Sequence, residues 1–437
     1  MPLLLNGVVI NAHGDEFSTD AGGIPFQADL KAANVKLVRR QAFPNPRFPT
    51  HKDGSPRDVA WFDRQFQAVL KAGATPLFIQ PTKNYTGYVK EDGSPGGTIE
   101  ANLVFNVRHF LGARFNLKQQ IWEVGNEPNN PVDQVFTPPD YAALFNRCHE
   151  ALVKAGLREN VTLCGPVLAY HYNWPRNNRA GDDPYFDYFI EHCAAGVDVV
   201  TYHTYAGAKD EAGVLQAPHK LDFLEDFART FPIDPKDGKP KDVYGTAALL
   251  AKMKTIKFGR PNVGIGMTEL NTQRDSISRT LWCLAVSRYH ALNPLSRFTT
   301  QFVFADYGTQ QGGFGAYDAQ KKKSFGYWAL WMAGNLRGNQ VIEAKTTGNT
   351  MKDGRPLLLV LATRDAQSLF IEVINRGTEA VKDHVVIDGA QIGNGASIHQ
   401  ITATQTPELA AAAKLSVPFD YEFPALSATV FKFPLRK

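Results

Sequence analysis

The sequence predicts a (β/α)8 barrel over residues 1–338, followed by an all-β sandwich over residues 339–437. Three observations carry this. First, the initial three quarters alternate short, β-branched, nearly continuous apolar runs with longer amphipathic runs. That is the signature of parallel strands covered on both faces by helices. Second, there are eight such units, the element count of a closed barrel. Third, after about Gly338 the helical pattern stops, and alternating strand patterns punctuated by turn signals take over. An open doubly wound sheet would show the same alternation. However, no Gly-rich phosphate loop follows the first strand, which weakens that alternative.

In order, the expected strands are Gly7–Ala12, Val35–Arg39, Thr75–Gln80, Gln120–Val124, Val161–Pro166, Val197–Tyr202, Asn262–Thr268 and Arg297–Phe304. Helical patterns between them include Trp61–Lys71, Tyr141–Ala155, Pro184–Ala194, Thr246–Lys257 and Ser276–His290, and Ser324–Asn335 closes the last unit. The tail offers strands at Leu357–Ala362, Leu369–Asn375, His384–Asp388, Ser397–Ile401 and Ala428–Phe433, with a short helix expected at the Ala-rich Leu409–Lys414. Short strands at this spacing over about 100 residues read as a sandwich packed on the barrel.

Composition narrows the function classes. Of 437 residues, 43% are hydrophobic and 21% charged, as in ordinary globular proteins. The formal charge of +4 is too small an excess to predict a nucleic-acid partner. No apolar run reaches the ~20 residues that a membrane-spanning helix requires. Met1–Ile10 has neither a basic nor a long apolar segment, which predicts an intracellular protein or one whose signal peptide is absent from this sequence. Cys148, Cys164, Cys193 and Cys283 are widely spaced among apolar residues, so buried thiols are expected rather than a disulfide framework or metal site.

Several strand-to-helix connections are long: 81–97, 129–139, 169–183 and above all Ala206–Gly245. Long ordered loops are uncommon unless functional, and in a barrel these lie at the C-terminal face of the strands, where active sites are built. They carry Tyr85, Tyr88, Tyr170, Tyr172, Trp174, Arg176 and Arg179, groups suited either to stacking on sugar rings or to packing the loops themselves.

The sharpest feature is Ile121-Trp122-Glu123-Val124-Gly125-Asn126-Glu127-Pro128, an apolar strand ending abruptly in a polar cluster, with Pro128 stopping the pairing. A second such ending is Gly266-Met267-Thr268-Glu269-Leu270-Asn271. Counting units, Glu127 ends strand four and Glu269 ends strand seven, so both project into one mouth of the barrel. Two facing carboxyl groups can divide the labour of glycoside hydrolysis, one attacking the anomeric carbon and the other protonating the leaving oxygen. A lone strand-end Glu reads equally well as a salt bridge or helix cap; the pair does not.

Asn126-Glu127-Pro128 with Thr268-Glu269 resembles glycoside hydrolase clan A, most closely family 39, with family 79 near. Residues 7–337 fit the clan's barrel, and the tail fits the sandwich that several of its families append, with Leu426–Val430 in the closing strand. The resemblance implies Glu127 as acid/base, Glu269 as nucleophile and Asn126 as donor to the sugar 2-hydroxyl. It places Arg39, ending Val35–Arg39, near the nucleophile, and His203 and Tyr205, from Thr201–Tyr205, beside the carboxylates. Without the resemblance, Arg39 could pair with Asp29 and His203 could be a core histidine. Gly125 replaces the Trp usual in family 39, a family 79 habit, and the Trp that many members place on strand eight is absent. Phe304 or Tyr307 is expected to replace it as a sugar platform. His13, Tyr170 and Trp174 complete the candidate substrate-binding set.

The expected activity is therefore a retaining glycosidase acting on an oligo- or polysaccharide, with no metal or organic cofactor: the sequence has no HExxH and no paired His/Cys spacing. Retention requires carboxyl groups about 5–5.5 Å apart. The rivals are a transglycosylase using the same residues, a silent sugar-binding barrel and a metal-dependent hydrolase. Arg39, Arg40, His171, Arg176, Arg179 and His203 near the mouth raise the option of an acidic glycan.

Overall fold

A computed structural model describes residues 5–10, 26–44, 50, 58–83, 87–130, 136–169, 185–206, 246–272, 276–305, 313–350, 356–389, 391–393, 395–408 and 410–436. Eight parallel strands form a closed barrel: β1 Leu5–Val9, β2 Leu37–Gln41, β3 Thr75–Gln80, β4 Gln120–Val124, β5 Val161–Leu168, β6 Val199–Ala206, β7 Gly264–Thr272 and β8 Ser296–Gln301, with β8 pairing back onto β1. The described helices around them are α1 Phe26–Ala32, α2 Val59–Lys71, α3 Ile99–Leu111, α4 Pro138–Lys154, α5 Tyr185–Cys193, α6 Thr246–Met253, α7 Ile277–Leu292 and α8 Phe325–Asn335. Of these, α1 and α3 answer to none of the helical patterns named from the sequence. α3 is capped by Thr98, whose hydroxyl accepts from the Ala101 amide.

Alternation along each strand sorts the side chains. Leu37, Leu77, Ile121, Cys164, Val199 and Phe298 form one apolar layer inside the barrel. Their strand neighbours Val38, Phe78, Trp122, Leu163 and Val200 face the helices in the main core. Gly266 leaves room for Phe298 to fill the interior, since a Cβ there would lie 2.3 Å from its ring. The same alternation places Arg39 inside the barrel, two residues beyond Leu37, and turns Arg40 outward against the Trp61 ring of α2, 5.2 Å from its centroid. The sequence expectation that Arg40 lies near the mouth is therefore overturned: it belongs to the opposite face of its strand.

The tail forms a six-stranded sheet and a two-stranded sheet. The larger runs β14-β13-β16-β11-β10-β9, and the smaller pairs β12 with β15. The strands are β9 Gln340–Ile342, β10 Leu358–Arg364, β11 Ser368–Asn375, β12 Val381–Val385, β13 Ala396–Ile401, β14 Ala411–Ala413, β15 Phe419–Phe423 and β16 Ser427–Pro434. Ala411–Ala413 is thus a strand, paired antiparallel with Ala396–Ile398, and not the helix its alanines suggested: edge pairing overrides intrinsic propensity over so short a run. The central β11 is buried on both faces. Phe370 and Ile374 join the barrel core, while Leu369, Ile371 and Val373 face the smaller sheet. All four cysteines are buried free thiols.

Candidate active site

The site grows from the ends of β2, β4, β6 and β7. On β2, Arg39 is 1% exposed and each of its nitrogens is committed. Nε donates to Glu123 Oε2 at 2.5 Å, Nη1 to Glu269 Oε1 at 2.6 Å, and Nη2 to Asn126 Oδ1 at 2.7 Å. Burial works against the guanidinium charge, but Glu123 and Glu269 outweigh it and raise the Arg39 pKa above its ordinary value. Asp29, the other partner considered for Arg39, instead accepts from Tyr317 and Tyr327 and lies 3.2 Å from Lys323.

After β4 the chain turns sharply. Gly125 sits at φ +83°, where a Cβ would lie 2.8 Å from Thr82 Oγ1, and Glu127 itself has φ +45°. The turn is pinned on both sides: the Gly125 amide donates to Gln80 O, and the Glu127 amide donates to Val167 O. Asn129 exchanges hydrogen bonds with the Ala169 backbone, tying the turn to the end of β5. Asn130 donates to Glu127 Oε2 at 2.5 Å. The Gly in place of Trp is therefore a requirement of this backbone packed against Thr82.

On β6, Val199, Thr201, His203 and Tyr205 lie on the interior face by alternation. His203, fully buried, places Nδ1 2.9 Å from Glu127 Oε1 and 3.4 Å from Glu269 Oε2. Tyr205 donates its hydroxyl to Glu269 Oε2. Its pKa is pushed well above 10 by burial and by the charges of Glu269 and Glu127, which keeps it a phenol.

Glu269 requires a break in the pattern. Ile265 and Met267 of β7 face the helices, so strict alternation would send Glu269 the same way. Between Tyr202↔Met267 and His203↔Glu269 the register slips by one residue, and it slips again against β8 between Met267 and Leu270. This bulge at Thr268 re-aims Glu269 inward and returns Leu270 to the outer core. The result is that Glu127, His203 and Glu269 each present an atom within 4.8 Å of the others.

This donor set contains metal-binding residue types. However, both oxygens of Glu269 already accept from Arg39 and Tyr205, and a full guanidinium charge stands where a cation would have to compete. The arrangement suits a proton and an electrophilic carbon better than a metal ion.

Phe304, expected as a sugar platform, is 1% exposed and packs edge-on against Phe26 at 5.2 Å and against Tyr317, so it presents no open face. Among the described residues, the aromatic beside Tyr205 at the site is Phe302, two residues earlier and half-buried, with its ring 6.2 Å from Tyr205 and 5.9 Å from Phe314. Asn271 holds this corner by donating to the carbonyls of both Phe302 and Phe314. Tyr88 is also buried and donates to Pro81 O and Lys83 O, so it serves its loop. His13, Tyr170, Trp174 and Tyr307, with Tyr85, His171, Tyr172, Arg176, Arg179 and residues 207–245, lie outside the described residues.

No family model matches the sequence, and no curated protein does. Solved structures match along the whole chain. An α-L-arabinofuranosidase from Thermotoga maritima aligns with a TM-score of 0.69 over 99% of this chain and 97% of its own, at 15% identity. A monomeric β-xylosidase from Caulobacter crescentus aligns at 0.66 over 100% and 97%, with 17% identity. A GH39 enzyme from Xanthomonas axonopodis pv. citri, of glycoside hydrolase family 39, aligns at 0.63 over 100% and 95%, with 15% identity.

The chain shares the barrel-plus-sheet fold of these glycoside hydrolases, and at these identities the likeness is one of backbone. Among the described residues, no helix is long and apolar enough to cross a membrane.

Proposed function

We propose that this protein is a retaining glycosidase acting on an oligo- or polysaccharide. The observation that carries the reading is the approach of Glu127 and Glu269, an oxygen of each lying within 4.8 Å of the other. So near an approach of one oxygen pair supports carboxyl groups spaced at the retaining separation of about 5–5.5 Å over the roughly 6.5–9.5 Å that leaves room for an inverting water.

Glu269 is the nucleophile. Arg39 and Tyr205 hold its two oxygens and balance its charge until it attacks the anomeric carbon. Glu127, half-buried and reached by Asn130 and His203, protonates the leaving oxygen; it then takes a proton from the water that releases the covalent sugar. Asn126, its carbonyl oxygen taken by Arg39, offers its amide hydrogens to the 2-hydroxyl. Phe302 and Tyr205 form an aromatic wall beside the reacting sugar.

The relatives in fold include an arabinofuranosidase and a xylosidase, so aryl pentosides are the first substrates to test. The acidic-glycan option loses support: of its six basic residues, Arg40 faces outward, and Arg39 and His203 already serve carboxylates. The test is a panel of 4-nitrophenyl glycosides, glucuronides included, with Glu269→Gln as blank and the first-formed anomer read by NMR. Turnover with retained configuration is expected. Inversion would overturn the nucleophile assignment, and turnover equal to the blank on every substrate would overturn the enzymatic reading.

A further inference from the structure

Glu123 is fully buried inside the barrel on β4, four residues before Glu127 of the turn that follows that strand. Nothing about packing requires a carboxylate there. Its register partner on β3 is Ile79, and the layer beneath is apolar. Among the described residues, none donates a hydrogen bond to its Oε1, a costly condition for a buried carboxylate. Its hydrogen bond among them is that of Oε2 with Arg39 Nε, the guanidinium nitrogen that turns toward neither Glu269 nor Asn126.

That contact does two things. A guanidinium is a planar fork, so fixing Nε fixes the directions of both Nη atoms, here onto Glu269 and Asn126. The contact also brings a second negative charge onto Arg39, so the cation does not act on Glu269 and Glu127 alone. The groups around this cluster are Arg39 from β2, Glu127 after β4, Cys164 from β5, His203 and Tyr205 from β6, Glu269 from β7, and Tyr141 from α4; burial first, and the Glu123 charge after it, raises the pKa values of Tyr141 and Cys164. Tyr141, Cys164 and Tyr205 are held neutral, and the Arg39 cation, its pKa raised despite burial, faces the carboxyl groups of Glu123 and Glu269.

We propose that Glu123 is a positioning residue, which aims the Arg39 fork and offsets its charge so that Glu127 retains its proton for the first step. This rests on the glycosidase reading. Removing a negative charge from the cluster makes the remaining carboxyl groups more acidic. In Glu123→Gln, both limbs of the kcat/KM profile, measured on a substrate with a poor leaving group, should therefore move to lower pH by about one unit. At the new optimum, kcat should fall at least ~10-fold with KM little changed, because the freed fork misaims. Melting curves establish that the variant is folded. Limbs that stay where they are in wild type would overturn the proposal and leave Glu123 a structural residue.

If Glu123→Gln does not fold, Glu123→Asp carries the test. It keeps the charge but withdraws it by one methylene, so the limbs should hold while kcat falls, and an unchanged kcat would overturn the proposal. Failure of the wild type to hydrolyse any glycoside would instead sink the functional reading, a result distinct from either outcome here.

Discussion

His203 and Glu269 are register partners across β6 and β7, and they are so only because β7 carries one residue too many at Thr268. The bulge turns a carboxylate that strand alternation would bury among the helices toward the interior, where Arg39 and Tyr205 meet it. Deleting Thr268 would let plain alternation carry Glu269 inward and Leu270 outward, so the variant should keep measurable turnover of aryl glycosides if the barrel still closes; complete loss in a folded variant would show that the bulge also sets the depth of the carboxylate.

The two carboxylates should respond unequally to removal. Glu269→Ala is expected to eliminate turnover of every substrate. Glu127→Ala should slow unactivated glycosides by ~10²–10⁴-fold, the usual worth of general acid catalysis. It should largely spare glycosylation by dinitrophenyl glycosides, whose leaving groups need no proton. Burst kinetics on the two leaving groups check this; equal losses on both would contradict the roles.

Tyr205 gives a pH test. Burial and two nearby carboxylates hold its hydroxyl well above the usual phenol range, so it does not titrate where the enzyme works. Tyr205→Phe should therefore lower kcat by ~10–100-fold, the loss of one hydrogen bond to a charged group, without moving the alkaline limb. A displaced alkaline limb would mean that the tyrosine itself ionises in that range.

Gly125→Ala combines two penalties: a side chain at φ +83° and a Cβ 2.8 Å from Thr82 Oγ1. The left-handed backbone alone costs ~1–2 kcal/mol. Urea titration should show at least that loss. Thr82→Ala in the same background should recover the steric part but not the conformational part. Full recovery would show that the backbone angle matters little.

His290 links stability to acidity. It is fully buried beside Ser296, and burial pushes its pKa down to about 3. Unfolding lets it take up a proton at any pH between that value and the ordinary ~6.5. Its contribution is thus complete above about pH 6.5 and is lost as pH falls, by up to ~1.4 kcal/mol per unit. His290→Gln should flatten the pH dependence of the unfolding free energy between pH 6 and 4 by about one proton. Identical slopes in both proteins would refute this.

Much of this arrangement is legible in the sequence because it follows from alternation and strand ends. Arg39, His203 and Tyr205 fall on interior positions of their strands, and the Gly125–Glu127 turn announces itself by the abrupt change from apolar to polar. What stays hidden depends on partners distant in the chain. The bulge at Thr268 exists only in register with β6 and β8. Phe302 rather than Phe304 reaches the site because Phe26 of α1 claims Phe304, a contact no local pattern encodes. Ala411–Ala413 reads as helix until β13 offers it a ladder. Glu123 was visible as part of the motif, but a buried acid in an apolar strand gains meaning only once Arg39 is seen beside it.

The double-sided burial of β11 bears on how this chain can be cut and rejoined. With Phe370 and Ile374 sunk into the barrel's outer core, and Arg337 of the segment after α8 locked onto Glu372, the C-terminal sheet is a wall of the same building rather than a detachable annex. A truncation at Gly338 would strip α7 and α8 of their cover and leave a sticky flank. Engineering that swaps binding modules onto this scaffold should therefore graft at the far edge, on β12 or β15, and leave the shared wall standing.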